Sequence, residues 1–119
     1  FNNVGVVAII GMSSKGTLTT SSYRDEALKV ALSHPNVIGG VSQNPLPEDI
    51  LLFTPGVNLA DSGDGKGQQY NTPEHVFSML HSDFIIVGRG IYKAENPTEA
   101  AATYKNAGWG AYLNSLEKK

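Results

Sequence analysis

The sequence predicts an α/β fold built on a parallel sheet with motif-bearing loops at one edge. Three observations support this. Four short apolar segments (residues 4–10, 37–41, 50–53 and 84–87) are rich in β-branched residues and lack strict polar alternation, as strands covered on both faces do. Helix-start signals lie between them, so that strand and helix alternate. Two of the segments run directly into Thr54-Pro55-Gly56-Val57 and Gly88-Arg89-Gly90, with Gln68-Gln69-Tyr70 between them. Loops that follow parallel strands leave the same edge of the sheet, and ligands bind at that carboxyl edge.

In chain order, residues 4–10 form the first strand. Ser21 or Ser22 can cap a helix that carries Tyr23, Ala27, Leu28, Ala31 and Leu32 at helical spacing and is closed by His34-Pro35. With the strand over 37–41 this is a βαβ unit. Residues 42–49, with Pro45 and Pro47, are shorter than the roughly a dozen residues a parallel crossover needs, so a single helical turn is the most expected there. Residues 58–66, with Gly63 and Gly65 among polar neighbours, read as a mobile loop of lid length. Thr72 before Pro73, and Asn96 before Pro97, each place an N-cap ahead of a proline at the first helical position, and Glu99 adds a capping-box partner to the second pair. The last helix carries Ala100, Tyr104, Ala107 and Ala111 as an apolar stripe for the sheet.

Composition narrows the function. A net charge of −2, with nine Lys and Arg residues spread along 119, gives no electrostatic footprint for nucleic acid or an anionic membrane. No apolar run is long enough to span a bilayer, and no charged-then-apolar signal opens the chain. The absence of cysteine excludes disulfides, thiolate catalysis and cysteine-based zinc sites within these residues, and is compatible with a cytoplasmic location. The chain opens on Phe1 with a core strand close behind, and a complete eight-stranded α/β barrel usually needs about 250 residues. It therefore reads as a single segment over 1–119, a fragment or processed product of something larger.

Each candidate site residue has a plainer alternative. Arg89 lies between two glycines after a strand, where backbone can approach a ligand and a guanidinium offers a planar fork to phosphate oxygens; the alternative is a surface ion pair on a tight turn. Gln68 and Tyr70 precede a capped helix start, whose exposed N–H groups favour anions, although an amide and an aromatic can equally pack a loop down. Ser13, at the end of the first strand, can offer hydroxyl and backbone groups to an amide-like edge, or simply cap a turn. Pro55 can wall a pocket without competing for hydrogen bonds, or merely end a strand. His34, His75 and His81 have no carboxylate at a metal-ligand spacing.

Taken together, Gly11-Met12-Ser13-Ser14-Lys15-Gly16-Thr17-Leu18, Thr54-Pro55-Gly56-Val57, Gly67-Gln68-Gln69-Tyr70, Ile85-Ile86-Val87-Gly88-Arg89-Gly90 and Tyr104-Lys105-Asn106-Ala107-Gly108-Trp109 resemble orotidine 5′-monophosphate decarboxylase of the eukaryotic type. The resemblance spans nearly the whole chain but corresponds to the second half of a family member. It implies the carboxyl-terminal half of a TIM (β/α)8 barrel, with parallel strands and phosphate-binding loops. It further implies decarboxylation of orotidine 5′-monophosphate to UMP without metal or organic cofactor, in a homodimer, with the catalytic lysine and aspartates in the amino-terminal half and none here. By the resemblance, Arg89 clamps the 5′-phosphate with Gly88 beside it, Gln68 bridges phosphate and pyrimidine, Tyr70 holds the phosphate and Ser13 contacts the base. Asp64-Gly65-Lys66 looks like the start of the family's Asp-x-Lys-x-x-Asp pattern, but Gln69 breaks it, so both charges are expected to be solvated. A non-catalytic phosphate-binding half-barrel is the alternative. Another phosphate-handling barrel enzyme fits less well, because Gln68-Gln69-Tyr70 speaks against it. The exposed seam of a half-barrel should leave unpaired edges at residues 4–10 and 84–87, which invite association.

Overall fold

The computed structural model describes residues 3–12, 20–59 and 71–117. Four strands, β1 (Val6–Ile9), β2 (Val37–Val41), β3 (Leu51–Thr54) and β4 (Phe84–Ile85), form one all-parallel sheet in the order β1-β2-β3-β4. The helices are α1 (Ser21–Leu32), α2 (Pro73–Ser78), α3 (Arg89–Tyr92) and α4 (Pro97–Glu117). The α/β class and the parallel pairing are as the sequence predicts, and all four strands fall within or beside their expected segments.

Register explains which side of the sheet is covered. Ile9 pairs with Val41, Val41 with Phe53 and Phe53 with Phe84, so these side chains share one face. On it Phe53 and Phe84 stack at 4.5 Å. The alternate positions, Ile10, Ser42, Leu52 and Thr54, are buried on the other face. The first face is open: Ile9 is 55% and Phe84 46% exposed. Cover on both faces was expected, but among the described residues no element lies over this one. β1 and β4, each with one neighbour, are the edges.

The β3–β4 contact is locked by polar groups at its amino end. The Asp83 carboxylate accepts the Leu52 N–H at 2.8 Å, and the Asp83 N–H is given to the Leu52 carbonyl at 3.0 Å. The fully buried Thr54 hydroxyl donates to Ser82 Oγ at 2.8 Å, and Ser82 reaches the Leu52 and Phe84 carbonyls at 3.0 and 2.9 Å. Ser82→Ala would strand the Thr54 hydroxyl in a dry site, so a loss of about 2 kcal/mol is expected in urea unfolding. Adding Thr54→Val should recover part of it, since removing both partners is nearly neutral.

Local chemistry accounts for the helices, with two corrections. The α1 cap is Thr20, whose hydroxyl accepts the Tyr23 N–H, rather than Ser21 or Ser22; three successive hydroxyl residues can all cap, and the extended backbone at Thr20 decides. Residues 42–49 hold no helix, within the expected bound of at most one helical turn. Instead buried Ser42 accepts the Asn44 N–H at 3.0 Å, and Ile50 N–H closes on the Pro47 carbonyl at 3.2 Å. The α2 and α4 starts are capped as expected, Thr72 accepting from His75 N–H and Asn96 from Glu99 N–H. The buried stripe of α4, however, is Tyr104, Gly108, Ala111 and Ser115 rather than one containing Ala100 and Ala107. Gly108 brings the helix close: a Cβ there would lie 3.3 Å from Ile85 and 3.4 Å from Phe77 of α2.

Candidate functional site

The sheet's carboxyl edge collects the described candidates. After β3, Pro55 is half-buried, and Gly56 turns the chain with φ 69°, a left-handed conformation that glycine adopts without penalty. Val57 is 2% exposed and bridges Asn71. Asn58 N–H donates to the Asn71 carbonyl at 2.9 Å and Asn71 N–H to the Gly56 carbonyl at 2.8 Å, so the chain leaving β3 is held beside the segment entering α2. On the neighbouring strand, Ile86 N–H donates to the Thr54 carbonyl at 2.8 Å, carrying the β3–β4 pairing beyond β4. Gly88 then caps α3 with its backbone alone: its carbonyl accepts Ile91 N–H at 2.9 Å and Tyr92 N–H at 3.2 Å. Half-buried Arg89 is the first residue of that helix.

Pro55, Gly88 and Arg89 thus follow adjacent parallel strands at the same edge. Ser13, Gln68 and Tyr70 lie outside the described residues, as do Asp64, Lys66 and most of the loop over 58–66. At the start of α2, Pro73 has no N–H and Thr72 takes that of His75, so two of the groups an anion could use there are absent or engaged. The weight of a phosphate reading therefore falls on Gly88 and Arg89.

One contact at this edge could not be read from the sequence. The Tyr104 hydroxyl, on α4, accepts the Leu59 N–H at 3.1 Å, and the same ring covers Gly90. In the sequence Tyr104 reads as a member of an apolar stripe and opens the Tyr104-Lys105-Asn106-Ala107-Gly108-Trp109 motif, and neither reading points to Leu59.

Among the described residues a mainly apolar concavity adjoins this edge. A groove of about 520 Å³ runs between β4 and α4, lined chiefly by Phe84, Ile85, Val87, Trp109 and Tyr112. That lining suits apolar packing, not a phosphate. Among the described residues no helix is long and apolar enough to cross a membrane, and no group of three His, Asp or Glu could hold a metal ion.

Comparison with known proteins identifies the family and the fold. Residues 1–104 match the family described as orotidine 5′-phosphate decarboxylase / HUMPS. The chain is 43% identical over 118 residues to a uridine 5′-monophosphate synthase of Naegleria gruberi, covering 96% of this chain and 24% of that one. It is 42% identical to an orotidine 5′-phosphate decarboxylase of Penicillium chrysogenum (92% and 43%) and 46% identical to a uridine 5′-monophosphate synthase of Bos taurus (88% and 22%). It therefore spans less than half the length of these curated relatives. The crystal structure of orotidine 5′-monophosphate decarboxylase from Metallosphaera sedula superposes with a TM-score of 0.58 at 19% identity, over 92% of this chain and 52% of that one, so the fold described above is about half of that enzyme's barrel. By its match over residues 1–104, the chain belongs to the orotidine 5′-phosphate decarboxylase / HUMPS family.

Proposed function

We propose that this chain is the carboxyl-terminal half-barrel of an orotidine 5′-monophosphate decarboxylase, releasing CO2 from that nucleotide to give UMP, and that it supplies the binding of phosphate and pyrimidine. The observation that carries the reading is the placement of Pro55 and Gly88-Arg89 after adjacent strands at one sheet edge, in a chain of this family. Arg89 clamps the 5′-phosphate while Gly88 admits it to the backbone, and Pro55 walls the pocket. Gln68 and Tyr70 complete the phosphate contacts, and Ser13 reads the base. The catalytic lysine and aspartates belong to the amino-terminal half, which also covers the open face bearing Ile9 and Phe84; the complete enzyme is a cytoplasmic homodimer. Phosphate binding contributes to rate because energy from a non-reacting group can organise the reacting ring.

The test is to join this chain to the amino-terminal half of a family member. Turnover of orotidine 5′-monophosphate is expected from the combination and none from this chain alone. Turnover by this chain alone would place catalytic groups within it. The described candidates at the sheet edge, Pro55, Gly88 and Arg89, are binding rather than proton-transfer groups, which favours one second reading, a half-barrel that binds nucleotide without catalysis. UMP binding by a combination that never turns over would select it.

A further inference from the structure

Tyr104 is 6% exposed on α4, yet its hydroxyl has a defined partner far away in sequence. The oxygen accepts the Leu59 N–H at 3.1 Å, on the stem that leaves β3 by way of Pro55. The ring also closes over Gly90, the residue after Arg89. A Cβ at position 90 would collide with the hydroxyl oxygen and approach ring atoms Cζ and Cε2 at 3.0 and 3.2 Å. One side chain therefore touches both segments that carry the described candidates, the stem after β3 and the turn that opens α3.

Core packing alone does not ask for that hydroxyl, since a phenylalanine ring would cover Gly90 and fill the same space. What the oxygen adds is direction: it ties the Leu59 backbone to a ring already seated against Gly90, and so sets the spacing between the two segments. We propose that Tyr104 is a positioning residue for phosphate recognition, acting on the ligand through Arg89 without touching it. The proposal rests on the phosphate reading of Arg89. Its physical basis is that a charged fork delivers its full interaction when held within a fraction of an ångström of the productive geometry.

The experiment uses the completed enzyme, with UMP and uridine as paired probes. Tyr104→Phe is expected to weaken UMP binding by about three- to ten-fold, the range for losing one neutral hydrogen bond. Uridine binding should be unchanged, because the ring and its packing remain. Gly90→Ala should give the same selectivity from the opposite side of the contact, and adding Tyr104→Phe to it should restore part of the UMP affinity by removing the colliding oxygen. Equal losses for UMP and uridine, or no loss in either, would overturn the proposal and leave Tyr104 as packing. A wild-type enzyme that bound UMP no more tightly than uridine would overturn the phosphate reading itself, and the proposal with it. The two failures are thus told apart by the unmutated protein.

Discussion

Arg89→Ala in the completed enzyme is expected to weaken UMP binding by about ten- to a hundred-fold while leaving uridine binding near its original value. A guanidinium meeting a dianionic phosphate makes charge-assisted hydrogen bonds, each worth roughly 1.5–3 kcal/mol. Uridine has no phosphate and so cannot report the loss. Arg89→Lys should recover part of the affinity, since it keeps the charge but gives up the planar fork. Turnover should fall along with affinity if the phosphate contact helps to organise the reacting ring. Paired titrations of UMP and uridine check the first claim. Equal changes in both would return Arg89 to a structural role on its turn.

The largest loss of stability is expected at Gly39→Ala, about 3 kcal/mol. Gly39 pairs with Leu51 in the middle of the sheet. A Cβ there would lie 2.7 Å from the Leu51 carbonyl oxygen, 3.0 Å from the Phe53 ring and 3.1 Å from Leu51 Cβ. The ring can turn aside, but the carbonyl belongs to a backbone held in register between two neighbours, so the strands themselves would have to separate. Gly40→Ala is the milder comparison: its Cβ would meet the flexible tip of Leu46 at 2.8 Å and Cγ1 of buried Ile10 at 3.0 Å, side-chain atoms rather than backbone. Thermal melts of the two variants should separate clearly. A mild Gly39→Ala, or a Gly40→Ala as severe, would mean that β2 and β3 yield more easily than this geometry allows.

Most of the architecture was legible because its causes are local. Apolar runs without alternation mark β1 to β4, and Thr72-Pro73 and Asn96-Pro97 start their helices by satisfying N–H groups within one turn. The motifs after β3 and β4 placed Pro55, Gly88 and Arg89 at one edge, since parallel strands send their loops the same way. α3 was missed for the same physical reason in reverse. It spans four residues, its cap Gly88 offers no side chain, and so neither periodicity nor capping chemistry announces it.

What the sequence by itself determined is therefore the four strands and the three longer helices, their parallel pairing and the edge at which Pro55, Gly88 and Arg89 gather. Tertiary structure alone decided how closely those elements meet. Gly108 replaced Ala107 in the buried stripe because Phe77 and Ile85 approach there, and Ser82 became the acceptor for Thr54 across 28 positions of chain. The Tyr104 hydroxyl reaches Leu59 across 45. Contacts of that range depend on where the sheet sets α4 relative to the strand ends, a distance that no local propensity encodes.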